Sequence, residues 1–214
     1  MGSEYIPALR FKALTRFYDP VVRWTTREDV VKPALIKQAS VPEGGTVIDL
    51  GCGTGTLTVG LKQQYPTARV IGLDADAMSL DYARAKADAA GVEVEFYKGN
   101  ATDLPFDATL ADRVVSSLFF HHLRPDDKQR VLTQVARVLK EGGELHVSDW
   151  GLPTNLLMRA LFVPVQLLDG FSNTRENVQG HLPALVCGSG LRAVDEQAHY
   201  NTVFGTLRLF KAVK

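Results

Sequence analysis

The stretch that most constrains this chain runs from Val47 to Thr58. Val47, Ile48 and Leu50 form an apolar run suited to a parallel strand covered on both faces. Gly51, Gly53 and Gly55 follow in G-x-G-x-G spacing, and Thr56, Leu57 and Thr58 open the next segment. Glycine permits a sharp turn and lets a ligand approach the backbone without meeting a Cβ. A helix starting just after such a turn directs unpaired N–H groups at that ligand. The spacing differs from the dinucleotide fingerprint G-x-G-x-x-G, because position 56 is Thr56.

The flanking sequence predicts the fold. Residues 70–73, 92–97, 112–118 and 144–149 read as strands, and 77–90 and 126–140 as helices. Gly142-Gly143 reads as the stop of the second of these helices. Strands alternating with helices predict a doubly wound, mostly parallel α/β sheet. Upstream, Leu9, Phe11, Leu14, Phe17 and Tyr18 suggest a short amphipathic helix. Thr26 with Asp29 resembles a capping box for a helix reaching about Ser40. Downstream, 152–168 and 175–186 read as helices, with Pro183 a possible break. The runs 193–200 and 202–211 predict an antiparallel pair at the sheet edge, for seven strands in total. The expected organisation is a helical cap (1–41), a ligand-binding core (42–151), an inserted helical lid (152–187) and a terminal hairpin (188–214).

Bulk properties narrow the function. The 214 residues suit one domain, and 45% hydrophobic content allows a sizeable core. Lys+Arg and Asp+Glu both number 24, so a broad electrostatic footprint for nucleic acid is not expected. Two cysteines, Cys52 and Cys187, give no disulfide framework and suit a cytoplasmic protein. No signal peptide is expected, and the apolar stretch 152–168 is too short and too interrupted by prolines to span a bilayer.

Three sites beyond the glycine turn carry chemistry. Asp74 ends the second strand about 20 residues after the glycines, where an acid bonds ribose hydroxyls, or else caps the helix at Ala77 as Asp76 also could. Asn100-Ala101 follows the third strand, and its residues by themselves read as an Asx turn. Ser117 and Leu118 end the fourth strand, which opens on the ligand crevice. His121 and His122 follow them as pocket wall, general base or metal ligands. Adjacent histidines rarely make a metal site without other ligands nearby, so no metal is expected.

Asp49 with the G-x-G-x-G turn resembles motif I of class I S-adenosylmethionine (SAM)-dependent methyltransferases. The segment from Gly99 to Phe106, the Phe-His-His-Leu run and the pair Tyr18-Asp19 are similar to the small-molecule, UbiE-like group of that family. The resemblance covers roughly residue 42 to the C-terminus. It implies SAM as cofactor, with S-adenosylhomocysteine as product, and a small-molecule acceptor. It also implies the second reading of Asn100-Ala101, a contact to the adenine of SAM. Asp49, Gly51, Cys52, Gly53, Gly55, Thr58, Asp74, Ala75, Met78, Asn100, Ala101, Ser117, Leu118 and His122 are then the candidate cofactor residues. His121, His122 and Tyr18 are the candidate catalytic residues. The expected assembly is a monomer or homodimer. An NAD(P)-dependent oxidoreductase is disfavoured by the glycine spacing, by Asn100-Ala101 and by the terminal hairpin. A SAM-binding module without turnover is the other alternative.

Overall fold

The computed structural model describes residues 25–214. Seven strands form one sheet in the order β3-β2-β1-β4-β5-β7-β6. β1 (Thr46–Leu50), β2 (Arg69–Asp74), β3 (Glu95–Lys98), β4 (Ala111–Ser117) and β5 (Leu139–Trp150) run parallel. β7 (Gly205–Val213) pairs antiparallel with β5 and with the edge strand β6 (Arg192–Thr202). The expected α/β sheet with its terminal hairpin is therefore present.

Helices cover both faces. On one face α1 (Glu28–Ala39) and α2 (Thr56–Gln64) bury Val31, Leu35, Leu57 and Leu61 against Val47, Val70 and Val115. On the other, α4 (Pro125–Val138) buries Val131, Leu132 and Val135 against Ile48, Val114 and Leu145. Residues alternate between faces along β1, so both clusters draw on the same strand. α3 (Ala77–Ala90) has the bounds the sequence predicts. It packs closely on the glycine turn, with Ala83 where a Cβ on Gly55 would sit.

Between β5 and β6 lie four short helices: α5 (Leu156–Leu161), α6 (Val163–Asp169), α7 (Phe171–Val178) and α8 (Leu182–Gly188). The two helices expected here are each split. Phe162 ends α5 and starts α6, and Pro164 follows it in the first turn. Proline has no N–H to continue the ladder, so the helix breaks there. Gly180, at φ +73°, separates α7 from α8. None of the described helices is long and apolar enough to cross a membrane.

Three boundaries also differ from expectation. The capping box does not form: α1 begins after a left-handed Arg27, which has no side-chain cap bond, and Thr26 lies one residue too early. β3 starts at Glu95, because the N–H of Val92 closes the end of α3 on Ala87 O. α4 ends at Val138, where Leu139 turns extended and pairs with Ala111. Gly142-Gly143 therefore lies inside β5 rather than at a helix end. The short helix expected around Leu9 to Tyr18 lies outside the described residues.

Gly55 combines φ +76° with a missing Cβ that would fall 2.7 Å from Ala83 Cβ. A left-handed backbone and an overpacked contact together cost about 2–4 kcal/mol. Gly55→Ala should lower stability by that amount in urea unfolding. A neutral substitution would contradict the close packing of α3 on the turn.

Candidate functional site

The order of the strands reverses at β1, which lies between β2 and β4. A doubly wound sheet opens a crevice at such a point, along the carboxyl ends of the strands. Here a crevice lies along the ends of β1 to β4. Gly51, Cys52 and Gly53 line it from β1, and Asp74 and Ala75 from β2. Asn100 and Ala101 line it after β3, and Ser117, Leu118 and His122 after β4. These are ten of the residues singled out from the sequence.

The glycine turn fits a closely approaching ligand. Gly53 has φ +52°, and a Cβ there would meet nothing within 4 Å, so its bare face opens on the crevice. Gly51 is different: at φ +71° its missing Cβ is replaced by the Phe119 ring, 2.3 Å from where that atom would be. The first glycine is thus needed for packing and the second for access.

Asp74 is fixed by the backbone around it. Its Oδ2 accepts from Gly53 N at 2.8 Å and its Oδ1 from Asp76 N at 2.8 Å. Burial pushes its carboxyl above the usual range, against the pull of those N–H groups. An ionised carboxylate offers about four acceptor sites, so two remain for hydroxyl donors. The cap of α3 is Asp76, which accepts from Met78 N and Ser79 N. Asn100 builds the Asx turn that was one of its two readings, with Oδ1 accepting from Thr102 N at 3.0 Å.

Five other candidates do not line the crevice. Asp49 is buried, and its Oδ2 accepts from Thr58 Oγ1 at 2.6 Å. This pair ties β1 to α2 beneath the turn. Burial raises the Asp49 pKa to about 6, while the Thr58 hydroxyl and the Lys32 charge oppose the rise. Gly55 is packed under Ala83, and Met78 lies in the first turn of α3, where its N–H binds the Asp76 cap. His121 is buried behind His122. Tyr18 lies outside the described residues. Cys52 lines the crevice, but burial and the charges of Asp49 and Asp74 push its thiol up, so it is no ready nucleophile.

The end of β5 supplies a group that the sequence reading passed over. Asp149 Oδ1 lies 2.7 Å from His121 Nδ1 and also accepts from Trp150 N. Its Oδ2 accepts from Phe120 N at 2.7 Å and from Phe119 N at 3.2 Å. Burial alone would raise this carboxyl, but His121 and the backbone donors hold it below the usual range. It therefore accepts at both oxygens, and His121 Nδ1 is the protonated nitrogen. Asp169, at the end of α6, brings Oδ1 to 3.1 Å from His122 Nδ1 and Oδ2 to 3.7 Å from His121 Nε2. One ligand-type atom from each of these three residues lies within 4.8 Å of the others. Asp169 is the third polar partner that the adjacent histidines lacked in sequence.

Glu28 and Lys32 of α1 and Phe119 and Leu123 after β4 also line the crevice. The helical spacing of Glu28 and Lys32 was visible in the sequence, but nothing there shows which way α1 faces.

A family model described as a methyltransferase domain matches residues 47–143. A demethylmenaquinone methyltransferase of Thermus thermophilus is 35% identical over 155 residues, covering 72% of this chain and 66% of its own length. A ribosomal RNA small subunit methyltransferase C of Ectopseudomonas mendocina is 36% identical over 111 residues, covering 50% of this chain and 33% of its own length. The chain thus spans between a third and two thirds of these relatives. A SAM-dependent methyltransferase structure from Aquifex aeolicus superposes with TM-score 0.67 at 18% identity, covering 92% of this chain and 98% of that one. That likeness concerns the fold.

The buried Asp49 has a thermodynamic signature. Its folded pKa is raised, so its stabilising contribution is complete below about pH 4 and is lost as pH rises through about 6. Asp49→Asn keeps an acceptor for Thr58 and removes the titration. Relative to wild type, the variant should gain about 2–3 kcal/mol between pH 4 and pH 7.5. Urea unfolding at both pH values measures this, and a constant difference would contradict a buried, titrating Asp49.

Proposed function

Since the chain belongs to the SAM-dependent methyltransferases and carries their domain over residues 47–143, we propose that it transfers the methyl group of SAM to a small-molecule acceptor. The observation that carries this reading is Asp74, held at the crevice by Gly53 and Asp76 with acceptor sites to spare. The open face of Gly53 beside it supports the same reading.

When bound, SAM supplies an electrophilic methyl carbon on a positively charged sulfur. The protein's own tasks are then to orient, to exclude water and to receive a proton where the acceptor loses one. Asn100-Ala101 would hold the adenine, with the second lone pair of Asn100 Oδ1 free for its amino group. Asp74 would hold the ribose hydroxyls. Ser117, Leu118 and His122 would wall the reacting end. His122 is the accessible proton acceptor of the two histidines, with its side chain 34% exposed. His121 is held by Asp149 and would position its neighbour, their ring centroids being 3.9 Å apart.

The acceptor is read as a small organic molecule. The chain has no net charge to attract a polyanion, and the name of the Thermus relative specifies a demethylmenaquinone. The free thiols Cys52 and Cys187 suit a cytoplasmic setting. Residues 152–187 would cover the acceptor. In support, Asp169 meets His122, and Asn173 Nδ2 donates to His122 O at 3.2 Å. Buried Lys128 on α4 also grips α7 through Glu176 and Asn177, both at 2.9 Å.

Titration calorimetry should find binding of S-adenosylhomocysteine and none of NAD. Asp74→Asn should weaken S-adenosylhomocysteine roughly ten- to a hundredfold. Binding of NAD with none of S-adenosylhomocysteine would overturn the reading. Hydrogen exchange in the same samples should slow in 152–187 on binding, and unchanged exchange there would reject the cover.

A further inference from the structure

We propose that Glu28 and Lys32 of α1 form the subsite for the charged amino-acid end of SAM, with Lys32 facing its carboxylate and Glu28 its ammonium. Both residues lie outside the matched methyltransferase domain, and the inference rests on the SAM reading above.

The order of the strands sets the direction. Going along the sheet, the crevice passes Asn100 after β3, Asp74 after β2, the glycine turn after β1 and Ser117 after β4. With the base at Asn100 and the ribose at Asp74, the remaining end of the ligand reaches the β1 and β4 side. α1 packs there, against β4, β5 and α2. Glu28 and Lys32 are the residues it contributes to the crevice. The Lys32 charge also acts on Asp49, directly below the turn.

The charges match a zwitterion. Lys32 carries the one permanent positive charge among the described residues lining the crevice. Of the other acids, Asp76 is the cap of α3, and Asp74 is the partner of the ribose in the SAM reading. Glu28 and Lys32 meet through Oε1 and Nζ at 2.6 Å. An ammonium has three donors and a carboxylate two oxygens, so each partner can keep this bond and still bind an opposite charge. Their side chains are only 16% and 13% exposed for Lys32 and Glu28, which strengthens such contacts over those in open water. The helix itself does not require this inward pair. Asp29, exposed in the same first turn, complements the helix dipole equally well.

The test compares S-adenosylhomocysteine, which has the amino-acid end, with 5′-methylthioadenosine, which lacks it. Calorimetry is run on wild type, Lys32→Met, Lys32→Arg and Glu28→Gln, each shown to be folded by its thermal transition. Lys32→Met and Glu28→Gln should each weaken S-adenosylhomocysteine about tenfold and leave 5′-methylthioadenosine unchanged. Lys32→Arg should retain affinity for both. Equal losses for the two ligands, or no loss for either, would overturn the assignment while leaving the SAM reading intact. A wild type that binds neither ligand would overturn the SAM reading and this assignment with it.

Discussion

The buried carboxylate of Asp149 organises the end of the crevice beside β4. Standing at the end of β5, it gathers backbone N–H groups from Phe119 and Phe120 and the Nδ1–H of His121. Those bonds hold the chain after β4 in a tight turn. They also hold Leu118 at φ +54°, a conformation that costs a leucine of the order of 1 kcal/mol. The turn in turn fixes Phe119 over Gly51 and His122 at the crevice wall. A buried acid with this many donors is satisfied only when the turn is formed, so the ends of two adjacent strands and the glycine turn share one geometry.

A second buried group does the same for the inserted helices. Lys128 Nζ, fully buried on α4, donates to Asn173 O, Glu176 and Asn177 on α7. Asn177 passes the link on through its Nδ2 to Trp150 O, one residue after Asp149. A buried ammonium is tolerated only with such partners, and removing one of them is costly. The insert is therefore anchored at its α7 end. Its outer surface is different: Leu156, Leu157, Leu167 and Leu168 are strongly exposed on α5 and α6.

Much of this was legible in the sequence because periodicity and glycine spacing are local signals. The bounds of α3, the parallel core and the terminal hairpin follow from them. So do the crevice positions of Gly53, Asp74, Asn100 and Ser117, since a strand-to-helix turn carries its residues to the carboxyl edge. What was not legible depends on contacts across the sheet. Asp49 sits beside the turn in sequence, yet the alternation of β1 points it under α2 toward Thr58. Asp149 and Asp169 meet His121 and His122 from 28 and 47 residues away. Pro164 was visible as an interruption of 152–168, but not that the chain would restart at once as a second helix from Phe162.

The central claim is that the SAM ligand lies along the carboxyl ends of β3, β2, β1 and β4, in that order, with its sulfur toward His122. A crystal structure with S-adenosylhomocysteine bound tests this most directly. The account predicts adenine beside Asn100 and Ala101, both ribose hydroxyls within hydrogen-bonding distance of Asp74, and the sulfur between the glycine turn and His122. A ligand bound in the reverse direction, or one whose ribose does not reach Asp74, would contradict it.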